Sequence, residues 1–189
     1  GADYVILGEG EMTLKALIDN LNSTAPQPGD IAGLAFYENE QLRHTGGKEP
    51  LKQLDLLPMA AWDLIDMPAY QECWYQHHGY FALNVSTTRG CPFKCNWCAK
   101  PIYGNRYNSR SPALVADEIA YLIAHYSPDR LWITDDIFGL KPNWVQEFNE
   151  AIQARNLTIR YTIQSRADLL LKGDTTEALA ASGCEEVWI

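Results

Sequence analysis

From Phe81 to Ile189 the sequence alternates two periods, and that alternation constrains the fold more than any other feature. "FALNVSTT", "RLWITDD", "TIRYTIQSR" and "EEVWI" read as strands. Between them lie helical stretches. Ser111 caps the first, with Pro112 at its first position and Val115, Ile119, Leu122 and Ile123 as its stripe. Pro142 opens the second, with Val145, Phe148 and Ile152 on one face. Asp174 and Glu177 form a capping box for a short third helix that ends at Gly183. Connections of a few residues between strand and helix imply an α/β chain with a parallel sheet and right-handed crossovers.

In such sheets functional groups gather where strands end and loops begin. Periodicity alone therefore brings three places to one rim: the loop after the first strand, Asp135–Asp136 after the second, and Gln164-Ser165-Arg166 after the third. The first of these loops is "STTRGCPFKCNWCAKPIYGNR", in which Cys91, Cys95 and Cys98 stand in Cys-x3-Cys-x2-Cys spacing. Three thiolates can wrap a cubane iron–sulfur core and leave its fourth iron open to an exchangeable ligand. From the cysteines alone zinc competes, with Cys73, Cys184 or a histidine as fourth ligand.

The 189-residue chain carries a net charge of −9 and no basic run, which argues against a nucleic-acid partner. No stretch of about 18 apolar residues is present to span a membrane. The first residues lack the basic-then-apolar pattern of a signal peptide. Five cysteines, three of them clustered, read as a metal-directed cytoplasmic set rather than a disulfide framework.

Upstream, "DYVILGEGE" reads as a strand, Tyr4 to Leu7, entering a Gly-rich turn. A helix follows with Leu14, Leu17, Ile18 and Leu21 as its apolar stripe. Leu34–Tyr37 and Gln41–His44 form a hairpin turning at "ENE". Residues 46–78 carry Pro50, Pro58 and Pro68 with no sustained period and read as an irregular connector. The absence of an initial methionine and the apolar ending "CEEVWI" lead us to expect an internal piece of a longer protein.

"RGCPFKCNWC" resembles the cluster loop of the radical S-adenosylmethionine (SAM) superfamily. The ordered set "GEGE", "LDLLPMAAWDLI", "RGCPFKCNWC", "RSP", "DDIFG" and "SGCEEV" resembles its cobalamin-binding-domain subgroup. That subgroup includes the anaerobic magnesium-protoporphyrin monomethyl ester cyclase and many methyltransferases. The resemblance implies a partial (β/α)6 barrel, of which about four strands are present. Residues 1–24 would close a Rossmann-like cobalamin-binding domain, 25–80 would connect, and 81–189 would form the N-terminal half of the barrel.

The resemblance also implies that Cys91, Cys95 and Cys98 ligate a 4Fe–4S cluster whose open iron chelates SAM. An electron then cleaves SAM to methionine and a 5′-deoxyadenosyl radical. Trp97 takes the place that packs near the adenine in relatives, or else packs against the barrel. Asp135 and Asp136 stand where relatives bind the methionine ammonium. Strand alternation points the two to opposite faces, so one of them is expected to touch ligand and the other not. Arg166 either pairs with a carboxylate of SAM or substrate, or forms a surface ion pair with Asp168.

The implied activity is methylation or oxidative cyclisation at an unactivated carbon of a small molecule, with an electron donor such as flavodoxin or ferredoxin. The Asp-x-His-x-x-Gly signature with which some relatives ligate cobalt is not in the sequence. His77, His78, Cys73 and Cys184 read as packing or surface residues. A zinc-stabilised structural module, a methylthiotransferase-like enzyme without cobalamin, and an inert folded piece are the rival readings.

Overall fold

A computed structural model describes residues 2–98 and 103–189 of the chain. They form two compact units, Gly1–Lys52 with Pro92–Arg106, and Gln53–Cys91 with Tyr107–Ile189.

The first unit holds strand β1 (Tyr4–Ile6), helix α1 (Glu11–Leu21), and the hairpin β2 (Leu34–Glu38) and β3 (Gln41–His44). β1 pairs antiparallel with β2, so the three strands make one sheet in the order β1-β2-β3. The hairpin turns at Asn39 and Glu40, both with positive φ, which matches the twist of its strands. Leu17, Leu34 and Phe36 form a small core, lined by Tyr4, Ile6 and Ile31. The expected stripe of α1 is only partly covered. Thr13 and Leu17 are buried, whereas Leu14, Ile18 and Leu21 are exposed. Three short strands cover a narrower face than the periodic residues occupy.

The second unit begins with 3-10 turns at Leu54–Leu56 and Trp62–Leu64, followed by α2 (Met67–His78). This twelve-residue helix stands where the sequence reads as irregular. Asp66 caps it by accepting from the Ala69 amide, Pro68 sits in its first turn, and Gly79 ends it in the left-handed region. Its packing face is aromatic rather than aliphatic: Met67 is buried, and Tyr70 and Trp74 lie against the core.

β4 (Ala82–Val85) comes next, then the two-residue strands β5 (Thr88–Arg89) and β6 (Asn108–Ser109), and α3 (Pro112–Tyr126). Then follow β7 (Arg130–Ile133), α4 (Trp144–Ala154), β8 (Tyr161–Gln164), the short α5 (Ala167–Leu170), α6 (Thr175–Ala181) and β9 (Cys184–Trp188). β4, β7, β8 and β9 pair in that order, and every pairing is parallel, as the alternation implies. Ser111 caps α3 through the Leu114 amide. α4 starts one residue after Asn143, which takes a left-handed conformation, rather than at Pro142. The capping box on α6 does not form, because the Asp174 carboxylate accepts from Gln146 instead of its own helix.

Leu83, Val85, Ile133 and Ile163 face the helices and share a core with Val115, Ile119 and Leu122 of α3. Phe138, Trp144, Phe148 and Tyr161 stack edge to face and face to face within it, at 5.1–5.9 Å between successive rings. Truncating any one of these fully buried rings to alanine removes about 3–5 kcal/mol. The alternate residues occupy the other face of the sheet, where register aligns Asn84, Trp132, Thr162 and Glu186 in one row. Among the described residues, no helix is long and apolar enough to cross a membrane.

Candidate functional site

The C-terminal ends of β4, β7 and β8 are tied together residue by residue. The Thr134 amide donates to the Val85 carbonyl at 2.9 Å, and the Phe138 amide to the Gln164 carbonyl at 2.8 Å. Ser165 Oγ donates to the Phe138 carbonyl at 3.0 Å. The rim expected from periodicity is therefore a continuous hydrogen-bonded edge.

On that edge the two aspartates part company, although both lie past the end of β7 rather than within the strand. Asp135 is buried at 2% exposure and accepts from the Thr87 amide at 2.7 Å, the Thr88 amide at 2.9 Å and the Thr87 hydroxyl. Burial raises its carboxyl above the usual carboxylate range, and these donors pull the other way. Asp135 thus fastens the end of β7 to the segment leaving β4. Asp136 is exposed and makes no hydrogen bond or ion pair with the described residues. Of the pair, only Asp136 has a carboxylate turned toward solvent and open to a cation.

The loop that leaves β4 is closed at its base. Thr88 and Arg89 pair antiparallel with Ser109 and Asn108, and the Arg110 amide donates to the Thr87 carbonyl at 2.8 Å. Nη1 of Arg110 reaches the Ser86 carbonyl at 2.9 Å and pairs with Glu118, which is buried in α3. A carboxylate within an apolar stripe requires a cation. Glu118 lies three residues from Val115 and four from Leu122, which is the signal that marks this pair in the sequence. Thr87, Arg110 and Glu118 do not stand out in the sequence by residue type alone.

Within the loop, Cys91 is buried, Cys95 and Cys98 are exposed, and no cysteine of the chain is in a disulfide. The Cys98 amide donates to the Cys95 carbonyl at 3.3 Å, one turn within the motif. Trp97 is 90% exposed. Among the described residues, no three His, Cys, Asp or Glu side chains are grouped as a ready metal site. Arg166 bonds Asp168 through Nε at 2.8 Å, and the guanidinium holds the Asp168 carboxyl below its usual range. The surface ion pair is therefore the arrangement seen for Arg166.

The remaining sulfur and imidazole groups are engaged locally. Cys73 is exposed on α2, and the His77 ring nitrogen Nδ1 lies 2.8 Å from its carbonyl. His78 packs on Trp74 at 4.7 Å. Burial pushes the Cys184 thiol up to about 11, and the thiol donates to the Glu186 carbonyl. Glu9 of "GEGE" accepts from the Leu51 amide, and Gly8 adopts positive φ, so the segment serves as a turn leading into α1.

Residues 85–188, more than half of the chain, match the profile of the Radical SAM superfamily. Uncharacterized methyltransferase PH0819 of Pyrococcus horikoshii is 29% identical over 187 residues, covering 98% of this chain and 39% of that protein. The anaerobic magnesium-protoporphyrin IX monomethyl ester cyclase of Synechocystis is 29% identical over 170 residues, covering 90% of this chain and 33% of its own. The chain thus spans about two fifths or less of the length of these relatives. Among solved structures, the radical SAM methyltransferase TsrM from Kitasatospora setae superposes with a TM-score of 0.70 at 21% identity, over 98% of this chain and 36% of that one. That TsrM structure holds tryptophan substrate and aza-SAM, and a second holds cobalamin and a [4Fe-4S] cluster. At this level of identity the likeness is one of fold.

Proposed function

The chain belongs to the radical SAM superfamily, and from that premise we propose that it is part of a cobalamin-type radical SAM enzyme acting on a small molecule. A 4Fe–4S cluster and SAM are the cofactors of such a domain. Cys91, Cys95 and Cys98 are the cluster ligands in this reading. The donor set fits: three thiols outside any disulfide stand in one short loop, with Cys91 two residues beyond the ladder that closes it. Cys184, held protonated by burial and spent on a carbonyl of its own strand, is a poor fourth ligand for zinc.

When bound, the cluster supplies the electron that splits SAM into methionine and a 5′-deoxyadenosyl radical. The chain's own residues do the positioning. Asp136 accepts the methionine ammonium through a charge-assisted bond. Asp135 holds the base of the cysteine loop. Trp97 and Arg166 are assigned to the adenine and to a carboxylate, and Arg166 leaves Asp168 to take up that role. The row Asn84, Trp132, Thr162 and Glu186 lies on the sheet face away from the helices and faces the substrate.

Residues 1–24 close a cobalamin-binding domain, 25–80 connect, and 81–189 begin a partial barrel. The similarity to methyltransferases and a cyclase supports methylation or oxidative cyclisation, with a flavodoxin- or ferredoxin-like donor.

The observation that carries this reading is the division of the aspartate pair, one sealed against Thr87 and Thr88 where the chain leaves β4 and one presented to solvent. The test is SAM cleavage. The anaerobically reconstituted, reduced chain is incubated with SAM, and 5′-deoxyadenosine and methionine are quantified by mass spectrometry. Stoichiometric or catalytic formation, abolished in Asp136→Ala, supports the proposal. No cleavage by a cluster-loaded chain that also fails to bind SAM counts against it.

A further inference from the structure

Two sequence motifs of the connector, "LDLLP" and "AWDLI", have no part in the site as described, yet both make one specific contact within the second unit. The Asp55 carboxylate accepts from the Ser111 amide at 2.8 Å. The Trp62 indole N–H donates to Glu118 Oε1 at 2.9 Å. Both contacts fall on the limb by which the chain returns from the cysteine loop. Ser111 is the cap of α3, and Glu118 is the partner of Arg110, whose amide and guanidinium hold the Thr87 and Ser86 carbonyls.

From this arrangement we infer that the connector is a strap for the cluster loop, with Trp62 and Asp55 as positioning residues that hold the neck of the loop closed. The inference rests on the proposed role of the cysteines. Trp62 acts through Glu118. A buried carboxylate satisfied on one oxygen by Arg110 and on the other by the indole has one fixed position, and so does the arginine it holds. Arg110, on the returning limb, in turn holds the outgoing limb at Ser86 and Thr87, the latter four residues before Cys91. Asp55 fixes the Ser111 amide, which the helix leaves without an intrahelical acceptor. The segment is therefore more than a spacer, because it spans back to the one place where the loop enters and leaves the sheet.

The test uses the full 189-residue chain and two variants that each lose one hydrogen bond of similar kind. Trp62→Phe removes the indole donor and keeps a ring in place. Tyr75→Phe removes the hydroxyl that bonds Asp129, ahead of the first residue of β7, and serves as the control. Two readouts are taken: the rate at which an iron chelator strips the reconstituted cluster, and hydrogen exchange of the Arg110, Thr88 and Ser109 amides in the metal-free chain. Trp62→Phe is expected to raise both by about fivefold or more, with Tyr75→Phe leaving both near the wild-type value.

Equal effects of the two variants, or an unchanged exchange rate at the neck in Trp62→Phe, overturn the strap. Asp55→Ala, which removes the acceptor of the Ser111 amide, repeats the measurement if Trp62→Phe does not fold. A wild-type chain that takes up no iron and sulfide overturns the cluster reading instead. The exchange readout still decides whether the neck is held by the connector.

Discussion

The division of labour between Asp135 and Asp136 leads to a prediction with opposite signatures at adjacent residues. Replacing Asp135 by alanine leaves the Thr87 and Thr88 amides without an acceptor at a buried position. Each such group costs about 1–3 kcal/mol. Relief of the burial that raises the Asp135 carboxyl offsets part of this sum. The expected net loss is about 2–4 kcal/mol, or roughly 5–15 °C in Tm for a chain of this size. Asp135→Asn keeps an oxygen for both amides and lets the Thr87 hydroxyl turn to accept, so about 1 kcal/mol is expected.

Asp136→Ala removes an exposed side chain that has no hydrogen-bond or ion-pair partner among the described residues, and stays within about 0.5 kcal/mol of wild type. Its effect falls on SAM binding instead. Urea unfolding with comparison of midpoints and slopes measures the first effect, and equilibrium dialysis of labelled SAM against the reconstituted protein measures the second. Equal urea midpoints for Asp135→Ala and Asp136→Ala would refute the latch. SAM binding that survives in Asp136→Ala but fails in a folded Asp135→Asn would invert the assignment.

Three further outcomes follow from other parts of the chain. Asp129 accepts from Tyr75 and from the Phe81 amide, which lowers its carboxyl below the usual 3.8. Its contribution is present above that value and lost as pH falls through the lowered one. Tyr75→Phe should therefore lower the urea midpoint slightly near neutrality, and its difference from wild type should vanish as pH falls through the lowered Asp129 value. Gly183 has φ +97°, and an added Cβ would meet the Ile159 carbonyl oxygen at 2.1 Å. Gly183→Ala should lower stability by about 3 kcal/mol or more, visible in thermal unfolding. With its thiol pushed up to about 11, Cys184 should react with iodoacetamide at pH 8 roughly a hundred times more slowly than an ordinary exposed thiol. Peptide mapping against Cys73 reads that ratio.

The parallel sheet was legible because short connections between strands and helices leave few other topologies, and β4, β7, β8 and β9 pair as that pattern requires. Helix α2 was not, because its packing residues are Met67, Tyr70 and Trp74, and three prolines nearby suggest irregular chain. Asp66 before Pro68 was the available sign. The exposed Leu14, Ile18 and Leu21 show the converse limit, since periodicity marks a face but not what covers it. Asp135 and Asp136 were expected to diverge by strand alternation, but β7 ends at Ile133, before both. Which one is sealed depends on where Thr87 and Thr88 lie across the sheet, a contact 47–48 residues away in sequence. Arg110, Glu118 and Trp62 belong to the same class: ordinary residues whose meaning lies in a pairing across the fold.

The central claim is that Cys91, Cys95 and Cys98 hold a 4Fe–4S cluster, and metal analysis of the anaerobically reconstituted chain tests it most directly. The account predicts about four irons with matching sulfide per chain, lost in Cys95→Ala, and a reduced EPR signal that shifts when SAM is added. Tightly bound zinc with no sulfide uptake, unchanged in that variant, would contradict it.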